Sequence, residues 1–392
     1  MLPLLDGIRV IEVGSVVLGP YAGQILADLG AEVIKVEPPE GDIARDSHPV
    51  GEGGGALFVN NNRNKRMLCL DLKRPEGQAA LAALVARSDV LFHNMRLAPA
   101  KRLGLDFESV AAINPRIVHC AAIGFGRGGR YRNRPAFDDI IQAASGMAGL
   151  AEATGGEPRF APTIVADKVA ALHAVYGILA ALVARGLGRE GPIEVEVPMF
   201  EAMVAFLMNE HLAAATFASD GAPGYSRLLS PDRRPYRTAD GWIAVMPYSG
   251  AQWQRCLDAI GVAEPGWARD PRERQARIGE LYALLAERLP ARSSRAWIEA
   301  LEACDVPCSR VAMPADLLSD PHLADTGFFA TPSTYPPGIA RMAPQPVGFG
   351  MSGTPDTPPR ALGADSHAIL SECGYDDAAI DALAQAGAVR LG

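Results

Sequence analysis

The chain opens on short β-branched runs separated by amphipathic stretches. "IRVIEV" (8–13) reads as a strand and "PYAGQILADLG" after it as a helix, with Pro20 suited to a first turn and Gly30 to a C-terminal stop. "AEVIKVE" (31–37) is the next strand, and "MLCLDL" (67–72) precedes a helix from Pro75 to Arg87. "DVLFHN" (89–94), a helix near 107–113 and "RIVHCAAIGF" (116–125) continue the alternation. A long apolar helix then opens at Asp167 within "APTIVADKVAALHAVYGILAALVAR" (161–185), ahead of the strand "IEVEV" (193–197). This order predicts an α/β fold, a doubly wound parallel sheet with helices on both faces.

The texture changes near residue 200. Residues 200–217 read as a long helix, and "SDGAPGYSRLLSPDRRPYR" (219–237), rich in Gly, Pro and Arg, as a crossing linker. "GWIAVMPY" (241–248) is a strand, helical patterns fill 250–303, and a further strand lies near "VPCSRVAM" (306–313). Eight prolines in 327–360 mark a second crossing, after which "SHAILSECG" and "DDAAIDALAQAG" are helical again. The expected division is a large domain over 1–218, a linker over 219–237, a small α+β domain over 238–326, and a linker and return to the large domain over 327–392.

Composition narrows the classes. Of 392 residues, 48% are apolar and 21% charged, enough for a large core and unlike a disordered chain. A net charge of −8 repels phosphate backbones, so no nucleic-acid partner is expected. The longest near-apolar run, 169–184, contains His173 and Tyr176 and is shorter than the roughly 18 residues of a membrane span, so a buried core helix and no membrane are expected. The start, "MLPLLDGIRVIEV", lacks a basic leader, and six scattered cysteines suit free thiols, so the expected compartment is cytoplasmic. Cys304 and Cys308 have no second pair and no nearby His to complete a zinc set.

The loop after the first strand reads G-S-V-V-L-G, with Gly14 and Gly19 at its ends. A dinucleotide loop needs an inner glycine for close approach to a pyrophosphate, and a P-loop needs Lys-Ser/Thr; neither is present. A nucleotide-type fold put to another use is the expectation. Basic residues gather in stretches read as loops after strands. They are Arg63, Lys65 and Arg66; Lys73 and Arg74; Arg96, Lys101 and Arg102; and Arg127, Arg130, Arg132 and Arg134. Such loops bind ligands and guanidinium forks match phosphates, so together these residues point to a polyanionic small molecule. Solvated surface charge explains any single one.

No Ser or Cys sits in a nucleophile motif, and no metal-ligand spacing appears. His173 falls on roughly the opposite side of the helix from Asp167, and His119 reads as a core histidine. Asp167 has two readings. As a helix cap it accepts a backbone N–H. As a reagent it is a carboxylate nucleophile with N–H donors beside it to stabilise charge on an attacked carbonyl.

Several stretches together resemble one family: "LDGIRVIEV…GPYAGQILADLGAEVIKVEPPEGD", "NKRMLCLDLKRPEG", "SDVLFHNMR…RLGL", "INPRIVHCAAIGFG", "AFDDIIQAASG" and "ADKVAALHAVYGILAALVAR". Over essentially its whole length the chain is similar to the family III CoA-transferases, the formyl-CoA and crotonobetainyl-CoA:carnitine transferase group. The resemblance implies a nucleotide-type large domain made by both chain ends, an inserted small domain, and a homodimer of two interlocked rings. It implies transfer of CoA between an acyl-CoA thioester and a free carboxylic acid. Asp167 would be the nucleophile, working through a mixed anhydride and an aspartyl-CoA thioester. Coenzyme A or acyl-CoA is then a substrate, and no tightly bound cofactor or metal is expected. Family CoA contacts map onto Val17, Leu18, Leu70, Lys73, Asn94, Met95, Arg96 and Arg102, and onto the region of Phe137 and Asp138.

The chain also departs from the family pattern. The common E-N-F-R-P-G is His93-Asn94-Met95-Arg96-Leu97-Ala98, and Pro38 and Pro39 stand where a basic residue often follows "KVE". No glycine-rich loop is present; "YSRLLSPDRRPY" stands in the linker, which argues against oxalate or formate as substrate. Arg227, Arg233 and Arg234 there could hold the second carboxylate of a dicarboxylate or be surface charge. Racemases of the family use a His–Asp pair, with the His at the position of Phe137. Phe carries no proton, so CoA transfer is expected over α-methylacyl-CoA racemisation. A CoA-binding protein without turnover, with Asp167 only a cap, is the other alternative.

Overall fold

The structure is a computed structural model and describes residues 4–329, 335–336, 338–343 and 357–392. Much of the Pro-rich crossing expected at 327–360 lies outside the described residues. The chain groups into two compact units, residues 1–147, 160–207 and 327–392, and residues 148–159 and 208–326.

In the first unit six strands run parallel: β1 (Arg9–Val13), β2 (Glu32–Glu37), β3 (Lys65–Leu70), β4 (Val90–His93), β5 (Val118–Ile123) and β6 (Ile193–Pro198). The short β7 (Val389–Arg390) lies antiparallel on β3, and the sheet order is β7-β3-β2-β1-β4-β5-β6. The central strands are covered on both faces, which is why they read as near-continuous apolar runs. Ile11, Ile34, Leu68 and Leu91 are fully buried, each worth about 1.5–3 kcal/mol. The β7 edge is sealed by the tail: Asp365 exchanges hydrogen bonds with Met67, and Ser366 Oγ accepts the Cys69 N–H.

Strand order reverses between β1 and β4, and the crevice beyond the carboxyl ends of such strands is where open α/β sheets bind ligands. Helix α1 (Leu18–Asp28) follows β1. Helix α2 (Asp138–Ala144) precedes α3 (Val165–Gly186), which packs on α1, β5 and β6. Small residues make that packing close. Ala166, Ala170, Ala174 and Ala181 are buried, and a Cβ at Gly177 would lie 2.9 Å from Val195 Cγ1. By length and composition α3 would suit a bilayer, but its alanine face is buried inside this unit, as a core helix.

The second unit has an antiparallel sheet of Tyr236–Arg237, Trp242–Val245 and Cys308–Arg310, packed by helices Gly250–Ala259, Ile278–Arg288 and Ser294–Glu302. Its core holds Trp253, Tyr282 and Trp297, whose Nε1–H donates to the Leu289 carbonyl at 2.7 Å. Three boundaries differ from the sequence reading. The strand read as 67–72 begins at Lys65. The helix read as 200–217 stops at His211, and a 3-10 turn follows at Ala213–Thr216. Helix α3 starts at Val165, so Asp167 lies inside its first turn and is not its cap; Ile164 holds that position without a side-chain bond.

Candidate active site

A cavity of about 410 Å³ opens at the carboxyl ends of β1 to β4, at the strand-order reversal. Val13, Val36, Leu70, Leu72, Met95 and Leu103 give it apolar walls; Lys73 and Asn94 add polar ones. Its acids are largely neutralised: Glu37 pairs with Arg45 at 2.7 Å and Asp42 with Lys35 at 2.9 Å. The size and lining suit a flat apolar ring with polar substituents.

Four of the residues mapped from the sequence, Leu70, Lys73, Asn94 and Met95, line this cavity. Val17 and Leu18 do not; both are buried at the start of α1. Arg96 and Arg102 are exposed at the ends of the short helix Leu97–Arg102 and are not among its lining. Phe137 is 74% exposed, and Asp138 stands beside Asp167. The basic clusters also sort differently. Arg63, Lys65 and Arg66 sit at the start of β3, the amino end, and face acids: Arg63 pairs with Asp28, Lys65 with Glu12, and Arg66 with Glu32 and Glu372. Arg127 pairs with Glu194 and Glu196. The error lay in reading polar strand starts as ligand loops. In the second unit the Arg227 guanidinium stacks on Tyr248, and its Nε–H donates to the Tyr282 hydroxyl at 3.3 Å. His119 is a core histidine, with Nε2 at 2.8 Å from the Leu105 carbonyl.

Residues missed by sequence reasoning frame the loop from Gly14 to Gly19. Its ends nearly touch: a Cβ on Gly14 would lie 2.9 Å from the Gly19 Cα. Asn94 accepts the Ser15 N–H at 3.1 Å and donates to the Ser15 carbonyl at 3.0 Å. Buried Lys35 donates to the Gly14 carbonyl at 2.7 Å and reaches Glu12 and Asp42. Val16 sits at φ 66°, a conformation costing a β-branched residue roughly 1–3 kcal/mol. Its N–H is held by both Asp42 carboxylate oxygens, at 3.1 and 3.3 Å.

This loop delivers the start of α1. The first-turn N–H groups of a helix have no partner within it, and Val17 at the cap supplies none. The Leu18 N–H lies near enough to the Asp167 carboxylate to favour its charge, so the amino end of α1, a different helix, acts on Asp167. Asp138 Oδ1 accepts the Asp167 N–H at 3.0 Å, and Gln142 donates to Asp138 at 2.6 Å while accepting the Ala161 N–H at 2.8 Å. Burial pushes the Asp167 carboxyl up, Asp138 adds to that, and the Leu18 N–H opposes both; the group is raised to about 6. The result is a carboxylate that is ionised at neutral pH yet poorly solvated, with a helix amino end nearby.

The sequence matches the profile of CoA-transferase family III over residues 5–366. It is 31% identical to a succinate–glutarate CoA-transferase of Agrobacterium fabrum, over 94% of this chain and 96% of that protein. It is also 31% identical to a succinyl-CoA–D-citramalate CoA-transferase of Chloroflexus aurantiacus, over 94% and 93% of the two lengths. Its structure is similar to that of a CAIB/BAIF family protein from Brucella suis, with a TM-score of 0.79, 30% identity, and coverage of 94% of this chain and 99% of that one. The chain belongs to CoA-transferase family III and is an enzyme of the CoA-transferase class.

Proposed function

We propose that this enzyme moves CoA between two carboxylic acids with Asp167 as the nucleophile. The observation that carries the reading is the Asp167 carboxyl beside Asp138 and the amino end of α1, raised to about 6. In the first step a carboxylate oxygen attacks the thioester carbonyl carbon. The C–S bond breaks, CoA leaves as thiolate, and an acyl–aspartyl anhydride forms. The thiolate then attacks Cγ of Asp167, the anhydride C–O bond breaks, and the donor acid departs, leaving an aspartyl-CoA thioester. In that second step negative charge develops on the aspartyl oxygen, and the nearby Leu18 N–H is the proposed donor that stabilises it. The acceptor acid runs the same steps in reverse and restores the free carboxylate.

The cavity beyond β1 to β4 is the proposed seat of the CoA adenosine, with Leu70 and Met95 against the ring and Lys73 towards phosphate. A dicarboxylic donor and acceptor are proposed because the two relatives are named for succinate, glutarate and citramalate, all dicarboxylic acids. A racemase loses support at Phe137, an exposed hydrocarbon ring where that chemistry needs a proton carrier. The test is incubation with acyl-CoAs of mono- and dicarboxylic acids, followed by mass spectrometry of the peptide containing Asp167. An acyl or CoA adduct on Asp167 supports the reading; turnover without one overturns it.

Two expectations follow from the same geometry. The kcat/KM profile should fall about tenfold per pH unit on the acid side of an apparent pKa near 6, because only the ionised Asp167 carboxylate is a nucleophile. A profile flat from pH 4.5 to 8 would contradict it. A homodimer is proposed to cover the apolar stripe that α3 leaves exposed: Leu172, Tyr176, Val183 and, just past its end, Leu187. Light scattering should give twice the 41.4 kDa chain mass, and a monomer at micromolar concentration would sink that proposal.

A further inference from the structure

The loop that carries the Leu18 N–H is held from outside by a side chain that the chemistry above does not use. We propose that Asp42 is a positioning residue for the CoA-transfer reaction: by clamping Val16 in its left-handed conformation it aims the Leu18 N–H at the Asp167 carboxylate. The proposal rests on the reading of Asp167 as nucleophile.

Val16 is a β-branched residue at φ 66°, and nothing in its own chemistry favours that angle. Its N–H reaches both oxygens of Asp42, whose side chain is 1% exposed. Asp42 is fixed in turn. Lys35 Nζ lies 2.9 Å away, the Ala44 N–H donates to it at 3.0 Å, and its own N–H donates to Glu37. The Asp42 carboxyl is held below its usual range: burial opposes this, but Lys35 and the Ala44 and Val16 N–H groups outweigh it. The clamp is therefore charged and rigid. Val16 and Leu18 are two residues apart, so a change in φ at Val16 re-aims the next peptide planes directly. Asn94 braces Ser15 at its N–H and carbonyl and Lys35 bonds the Gly14 carbonyl and Asp42, so both steady the peptides leading into Val16, while the Val16 N–H itself is taken by Asp42.

The distinguishing variant is Val16→Gly, since glycine takes positive φ without help. With an active donor and acceptor pair, Asp42→Ala should lower kcat about 100-fold, the scale of losing one oxyanion donor. Val16→Gly/Asp42→Ala should regain at least about tenfold of that kcat, while its thermal midpoint stays as low as that of Asp42→Ala. A kcat for Asp42→Ala within about threefold of wild type, or no recovery in the double variant, overturns the proposal. If Asp42→Ala does not fold, Asp42→Asn with the same Val16→Gly partner replaces it under the same criteria.

A second readout needs no turnover. Only two Val–Leu steps occur in the chain, 17–18 and 90–91, so carbonyl-labelled Val with amide-labelled Leu reduces the spectrum to the Leu18 and Leu91 resonances, which Leu91→Ile tells apart. Asp167→Asn should move that resonance in the native background and leave it unmoved in the Asp42→Ala background. If this holds while no acyl-CoA is turned over, the positioning role stands and the assigned reaction falls. If turnover and the Asp167 adduct are found but Leu18 responds to Asp167→Asn in both backgrounds, the positioning role alone is wrong.

Discussion

Asp167→Asn is expected to lower turnover by at least about 1,000-fold, roughly 4 kcal/mol in the barrier, and to remove the covalent adduct. The amide keeps the shape of the carboxylate and an oxygen for the Leu18 N–H but cannot attack a thioester. Stability should move the other way. The carboxyl is raised from 3.8 to about 6 in the folded chain, so its favourable contribution is complete below pH 4 and lost as pH rises through 6. At pH 7 the native state carries the cost of an ionised, half-buried acid beside Asp138. The Asn variant should recover on the order of 2 kcal/mol of it, read as a higher unfolding midpoint. Lost activity with a raised midpoint is the signature of a reagent. Lost activity with a lowered midpoint would make Asp167 structural, and retained turnover would refute the aspartyl mechanism.

Glu12→Gln should be the most damaging isosteric change to stability, costing about 3–5 kcal/mol. Glu12 is completely buried between two lysines, 3.2 Å from Lys35 and 2.7 Å from Lys65. The site leaves no slack, since a Cβ at Gly23 would come within 1.9 Å of Glu12 Oε2. Lys65 also donates to the Pro20 and Asn61 carbonyls and to Asn62, so its ammonium is fully bonded. Burial still pulls Lys65 down, to about 8, and Lys35 adds to that against the pull of Glu12. A depressed lysine makes the fold more stable as pH rises from 8 towards 10.5, because the unfolded chain binds the extra proton there. Without Glu12 that pH-dependent gain should begin lower and grow larger. Urea unfolding at pH 7 and pH 9.5 measures both effects; a loss under 0.5 kcal/mol at pH 7, about the size of an ordinary surface substitution, would show that the ion network does not hold the loop.

The parallel sheet was legible because its central strands are apolar on both faces and its helices repeat with a different period. The charges inside it were not. Lys35 in "AEVIKVE" and Glu12 in "IRVIEV" are each buried against a partner at least 20 residues away in sequence. Local pattern carries no record of such pairing. The same limit misplaced Arg63, Lys65 and Arg66 as ligand-facing, when all three hold acids. Asp167 read as either a cap or a reagent from the residues alone; Leu18, whose amide lies near it, is on another helix, and only the fold brings the two together. Asp138 resembled a CoA contact, and its position beside Asp167 depends on the packing of α2 against α3. The cavity residues Leu70, Lys73, Asn94 and Met95 were named through the family resemblance, and the structure places all four at or just past strand ends lining the cavity.

The antiparallel strand at the sheet edge has a consequence for synthesis. Leu70 of β3 pairs with Val389, more than 300 residues further along the chain. At roughly 5–20 residues per second, a ribosome needs about 15–60 s to pass from one to the other. Over that interval residues 208–326 emerge and can close their own core, while β3 shows an unpaired backbone edge to everything around it. The nascent chain is therefore most exposed to mispairing with its neighbours on the polysome just when its catalytic half looks nearly complete.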